Sequence, residues 1–211
     1  MPPPSLISDR VICQALTGFA RDPLANSKLS WWLRTNRNAT ERWFQFELAY
    51  HLQCCLPTEN LVLCEQNWRD ISVQAPGREE PAAAVELKWW GNWSLGNQDD
   101  RNDQARDVDR VNGYGLDAIA LMIWLFVDPE ALRGIDRNQA LLRDIERTRL
   151  DSVQAVRNKV SETWPDRFHL AGEVSLDGTE GPTVEGIQGL ALLAFIAGNR
   201  HHTNAGVAAA G

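Results

Sequence analysis

With Asp117 as its one charged residue, the segment from Leu116 to Val127 is apolar at odd and even positions alike, and Pro129 closes it. Strand side chains alternate between two faces, so a strand apolar on both must be covered on both, which calls for a sheet between helical layers. The sequence supplies those layers. Leu6 to Ala20 has helical spacing. Asn38-Ala39-Thr40-Glu41 is a capping-type entry into a helix running through about Gln53, with Phe44, Leu48 and Leu52 as its buried stripe. From Glu130 to Thr163 the pattern is helical again, marked by Leu141, Ile145, Val153, Val156 and Val160. The expectation is an α/β protein with a mixed central β-sheet flanked by helices. At 211 residues and 44% hydrophobic, the chain can bury a substantial core, so residues 1–211 are read as a single domain.

Asn60 to Glu65 supplies a first strand, and a hairpin follows it: Arg69 to Ala75 and Ala82 to Trp90, joined by the turn-rich Pro76-Gly77-Arg78-Glu79-Glu80-Pro81. Alternation puts Asp70, Ser72 and Gln74 on one face of the first strand, and Glu86, Lys88 and Trp90 on one face of the second. If the hairpin closes near Arg78, Asp70 lies across from Glu86, with Lys88 one step along. Two carboxylates and an ammonium so placed form a hard-cation site with a base or positioning group beside it. An ordinary ion pair between Glu86 and Lys88 is the structural alternative. Gly91 to Asn102 reads as a loop at the mouth of this site, and Gln104 to Asn112 as a short helix whose Gln104, Arg106 and Arg110 can meet a phosphate.

Asp70 followed by Glu86-Leu87-Lys88, with Glu47 on the preceding helix and a helix and buried strand afterwards, resembles the PD-(D/E)XK nuclease superfamily. The resemblance covers roughly residues 38 to 128, and Arg69 stands where that family commonly has a proline. It implies a restriction-endonuclease-like αβββαβ core over 38–128, an N-terminal extension over 1–37, and a C-terminal helical and strand addition over 129–211. It further implies Mg²⁺ or Mn²⁺ held by Asp70, Glu86 and the Leu87 backbone carbonyl, with Glu47 as an additional catalytic ligand. Lys88 would orient or help deprotonate the attacking water. The implied function is that of a metal-dependent endonuclease hydrolysing phosphodiester bonds in DNA. The alternative is a non-catalytic nucleic-acid- or protein-binding scaffold of the same fold; an RNA-processing or small-molecule hydrolase is a further one. DNA is the expected partner, no membrane partner is expected, and homodimerisation is left open.

The net charge of −7 argues against a nonspecific DNA binder, which normally carries a basic footprint. The charge is unevenly placed, however: residues 1–46 carry six Lys or Arg against three acids, and residues 47–100 three against nine. The acidic excess therefore surrounds the expected cation site, where bound cations would offset it. Arg34, Arg37 and Arg42, near Trp31 and Trp32, are the better candidates for a nucleic-acid backbone or base, against a solvated helix face with core tryptophans as the plainer reading. Trp89, Trp90 and Trp93 are more readily core than base-stacking residues.

Cys13, Cys54, Cys55 and Cys64 lack framework spacing and no secretory signal is read before them, so the expected compartment is a reducing cytoplasm. His51 with Cys54, Cys55 and Cys64 does not match the spacing of a structural zinc site. The apolar runs Ala118–Val127 and Leu190–Ala197 are too short for a bilayer. Arg167 to Leu176 is read as a strand, Gly189 to Ala197 as either a strand or a helix, and His201-His202 as part of a tail with no catalytic role.

Overall fold

The computed structural model describes residues 5–25, 27–29, 40–66, 69–94, 98–133, 139–176 and 189–198. Its helices are α1 (Asp9–Arg21), α2 (Thr40–Cys55), α3 (Gln98–Gly113), α4 (Pro129–Leu132), α5 (Gln139–Thr148) and α6 (Val153–Thr163). Its strands are β1 (Leu61–Gln66), β2 (Arg69–Gln74), β3 (Ala83–Gly91), β4 (Asp117–Val127), β5 (His169–Ser175) and β6 (Leu190–Gly198). They form one six-stranded sheet in the order β1-β2-β3-β4-β6-β5. β3 and β4 run parallel, and every other neighbouring pair is antiparallel. From α2 to β4 the order is helix, three-stranded meander, helix, strand.

β4 sits inside the sheet and is buried from Ala118 to Val127, as its two-sided apolar pattern requires. Ile119, Leu121, Ile123, Leu125 and Val127 face a core shared with α1 and α2, where Phe19, Phe44, Leu48 and Leu52 are fully buried. Met122, Trp124 and Phe126 face the opposite layer, where Trp90 stacks on Trp124 at 5.5 Å and α6 contributes Val156 and Val160. Lower on that face, Val108 and Val111 of α3 cover Ala84, Ala118 and Ala120. The small residues on the strands let the helix approach the sheet closely, which brings its polar edge over β3.

Some boundaries differ from the sequence reading. α3 begins at Gln98 rather than near Gln104, because its first turns are polar and carry no apolar period to betray them. Residues 23–25 and 27–29 are also helical. The 130–163 region is three helices, with Arg149 at φ 59° interrupting the chain between α5 and α6. These helices are also split between layers: Leu141, Leu142 and Ile145 of α5 join the α1/α2 core, and α6 packs on the other face. Leu190–Gly198 is a strand because β4 and β5 flank it. The four cysteines are free thiols. Among the described residues no helix is long and apolar enough to cross a membrane.

Candidate functional site

The ladder between β2 and β3 ends at Ile71↔Val85. Continuing that register by one residue sets Asp70 opposite Glu86. Beyond this point the β3 edge is bonded by carboxylates instead of backbone: the Leu87 N–H donates to Asp70 Oδ2 at 2.7 Å, and the Trp89 N–H donates to Glu41 Oε2 at 3.0 Å. A strand residue's N–H and C=O point to the same edge, so the Leu87 carbonyl is directed to the side where Asp70 sits. The buried Gln45 of α2 donates its amide to the Asp70 carbonyl oxygen, tying the start of β2 to the helix.

Here β3 and α3 enclose a cleft of about 250 Å³ lined by Asp70, Glu86, Lys88, Asp103, Arg106, Asp107 and Arg110. Glu86 is only 2% exposed. Its Oε1 accepts from the Tyr114 hydroxyl at 2.5 Å, and its Oε2 from Arg110 Nη1 at 3.0 Å. Arg110 also lies 3.3 Å from Asp107 Oδ1. Lys88 Nζ is 3.4 Å from Glu41 Oε1. Tyr114 carries the Arg69 guanidinium over its ring at 5.1 Å, so Arg69 braces the phenol bonded to Glu86.

Burial raises all three inner carboxylates. Asp70 is pushed up by desolvation, only partly countered by the Leu87 N–H, Lys88 and Arg110. Glu86 is pushed up by desolvation, and Asp70 and Asp107 add to the rise. For Asp107 desolvation outweighs Lys88 and Arg110, and its pKa reaches about 6. The Lys88 pKa also rises, but against burial: desolvation disfavours its charge, and Glu41, Asp107 and Asp70 together overcome that. The Tyr114 hydroxyl is driven to about 12 by burial and by its bond to Glu86. Four carboxylates crowd this lining against the three cations Lys88, Arg106 and Arg110, and burial of the inner ones favours further positive charge beside them.

The structure therefore brings Asp70, Glu86, Lys88, Arg106 and Arg110 together. It does not bring in Glu47 or Gln104. Glu47 lies about a third of a turn around α2 from Glu41 and bonds Lys28 and Trp43 instead. The α2 carboxylate at the cleft is Glu41. Gln104 is fully buried on the sheet-facing side of α3, with Val108 and Val111, and its amide has no hydrogen-bond partner. Trp90 and Trp93 are buried and Trp89 packs against Phe44 at 4.5 Å, so these tryptophans are core. Arg42 pairs with Glu65 at 2.6 Å. Trp31, Trp32, Arg34, Arg37, His201 and His202 lie outside the described residues.

Glu41, Asp103, Asp107 and Tyr114 were missed. Asp103, Asp107, Arg110 and Tyr114 are spaced by four, three and four residues, the period of a helix face. That polar stripe was the available signal. No protein-family model, curated protein or solved structure matches this chain.

Proposed function

We propose that the cleft is a divalent-metal site for hydrolysis of phosphodiester bonds, with DNA as the substrate class. The observation that carries this reading is the juxtaposition of Asp70 and Glu86 across the end of the β2–β3 ladder, beside Lys88. The donor set fits a hard cation: the buried Glu86 carboxylate, the half-buried and charge-crowded Asp70 carboxylate, and the Leu87 carbonyl directed to the same side. Mg²⁺ or Mn²⁺ bound there would polarise a phosphate and lower the pKa of a coordinated water. This is the site that the resemblance to PD-(D/E)XK nucleases implies.

The chain's own residues do the rest. Lys88 stays an ammonium at neutral pH, because Glu41, Asp107 and Asp70 raise its pKa. It therefore acts as a hydrogen-bond donor that orients water and stabilises charge developing on the phosphate, rather than as the base. Glu41 fixes it by holding both Nζ and the next backbone N–H. Arg106, 72% exposed at its side chain, stands at the rim for a phosphate. In the reaction, water forms the new bond to phosphorus and releases a proton to solvent, while the bond to the leaving sugar oxygen breaks and that oxygen takes a proton from solvent.

The saturation of Glu86 by Tyr114 and Arg110 favours a second reading, a non-catalytic scaffold in which the guanidinium permanently serves as the cation. Calorimetric titration of chelator-treated protein with Mn²⁺ and Mg²⁺ separates the two. The metal reading expects binding that is lost in Asp70→Asn with Glu86→Gln, together with cleavage of plasmid DNA, single strands or RNA that requires the metal. No binding, or binding unchanged in the double variant, overturns it.

A further inference from the structure

A second group of side chains stands apart from the cleft, where the end of α1 meets α2. Among the described residues, Asp22, Glu47 and His51 are the three His, Cys, Asp or Glu side chains whose ligand atoms all lie within 4.8 Å of one another. Asp22 caps the C-terminus of α1. Glu47 and His51 are four residues apart on α2, the spacing that stacks two side chains on one helix face.

Each group is aimed. Asp22 Oδ1 accepts the Leu24 N–H at 2.8 Å, which leaves Oδ2 turned toward His51 Nε2 at 3.8 Å. Glu47 has its Oε1 on Trp43 Nε1 at 3.0 Å. The His51 ring is held from behind by Gly18, where a Cβ would come within 2.9 Å of Nδ1, and by edge contacts with Phe19 and Tyr50. His51 is 7% exposed, and its Nε2 is buried with no hydrogen-bond partner. A buried imidazole nitrogen left unbonded is costly, and here it points at two carboxylates.

We propose that Asp22 Oδ2, a Glu47 carboxylate oxygen and His51 Nε2 form a binding site for a first-row divalent metal of the zinc class, independent of the Asp70/Glu86 cleft. Imidazole with carboxylates selects Zn²⁺, Co²⁺ or Ni²⁺ over Mg²⁺. Ligands about 2.0–2.1 Å from a tetrahedral ion are about 3.3 Å apart, so the 3.8 Å separation of Asp22 and His51 needs only a small closure. Three protein ligands leave a fourth position for water. Lys28 Nζ, 2.5 Å from Glu47 Oε1, is the competitor; its side chain is 54% exposed and can swing into solvent.

The test is a Co²⁺ titration followed by absorption spectroscopy, with Zn²⁺ calorimetry alongside, on chelator-treated full-length protein carrying His201→Asn and His202→Asn. Those two changes remove the tail histidines as competing ligands. Read in a background that also carries Asp70→Asn with Glu86→Gln, so that the cleft takes no metal, the expected result is one Co²⁺ per chain with visible ligand-field bands and no sulfur-to-cobalt charge-transfer band, which excludes the cysteines as ligands. Asp22→Asn and Glu47→Gln should each weaken binding at least tenfold, and Lys28→Met should tighten it severalfold by removing the competing charge. Both ligand variants spare the buried imidazole, and circular dichroism confirms their fold. Asp70→Asn with Glu86→Gln should leave this binding unchanged, so failure at one centre is separable from failure at the other. Absence of Co²⁺ and Zn²⁺ binding, a thiolate signature, or affinity indifferent to both Asp22→Asn and Glu47→Gln overturns the proposal.

Discussion

The Leu87 N–H donates to the Asp70 carboxylate at 2.7 Å, where a continuing β2–β3 ladder would offer it a backbone carbonyl. Asp70 thus has a structural duty as well as a charge, and the two can be separated. Asp70→Asn keeps an oxygen acceptor for Leu87 and removes the charge that burial disfavours, so in chelator it should melt no lower than the wild type. Asp70→Ala leaves the amide unbonded and should cost about 1–3 kcal/mol. Thermal denaturation of both in chelator checks this; equal losses would show that charge, not the acceptor, is what the fold requires.

Lys88→Ala separates chemistry from architecture. If Lys88 donates to charge that develops in the transition state, cleavage per folded molecule should fall by about 100-fold or more while Mn²⁺ affinity is retained. Nucleic-acid binding in Ca²⁺ should weaken only by the loss of one positive charge. A variant that is less stable but cleaves normally would reduce Lys88 to a structural partner of Glu41.

The raised carboxylates also fix a direction of pH dependence. Asp107 titrates at about 6, above an ordinary aspartate, so the native state holds its proton through a range in which the unfolded chain has released it. In chelator the contribution of this group to stability is therefore present below about pH 4 and is lost as pH rises toward 6. Asp107→Asn should flatten that slope and stabilise the apo protein at pH 7 by about 1–3 kcal/mol. Metal affinity should run oppositely, rising with pH as Asp70 and Glu86, both held above the ordinary carboxylate range by burial, ionise. Denaturant melts and Mn²⁺ titrations at pH 5, 6 and 7 measure both.

Arg110 and a divalent ion both seek Glu86. Arg110→Ala frees Oε2 and removes a neighbouring positive charge, so Mn²⁺ should bind severalfold more tightly, while binding of a DNA duplex in Ca²⁺ weakens. Calorimetry on the variant decides the matter. Mn²⁺ affinity that falls would mean that Arg110 organises Glu86 for the metal instead of competing for it.

The central fold was legible because burial writes itself into composition. β4 is covered on both sides and reads as unbroken apolar sequence, and the hairpin of β2 and β3 announces its parity through Asp70, Glu86 and Lys88. Which carboxylate of α2 reaches the cleft was not legible. Glu41 and Glu47 both flank the apolar stripe of that helix, and only its rotation against the sheet determines that Glu41 meets Lys88 while Glu47 meets Lys28. The acidic face of α3 was hidden for a related reason: its first turns lack the apolar residues that mark a helix, so the expected helix starts at Gln104 and leaves Asp103 outside it. Gln104 looked available for a phosphate because amide side chains usually face water, but the helix turns it into the interior.

The sheet order β1-β2-β3-β4-β6-β5 carries a consequence for synthesis. β5 is made before β6 yet joins the sheet only through it, and β6 is also the strand that closes the far edge of β4. A ribosome that has released β5 but not Leu190–Gly198 therefore presents a nascent chain whose longest strand, β4, still has one edge open. That edge is a template for pairing with other chains until translation supplies its partner.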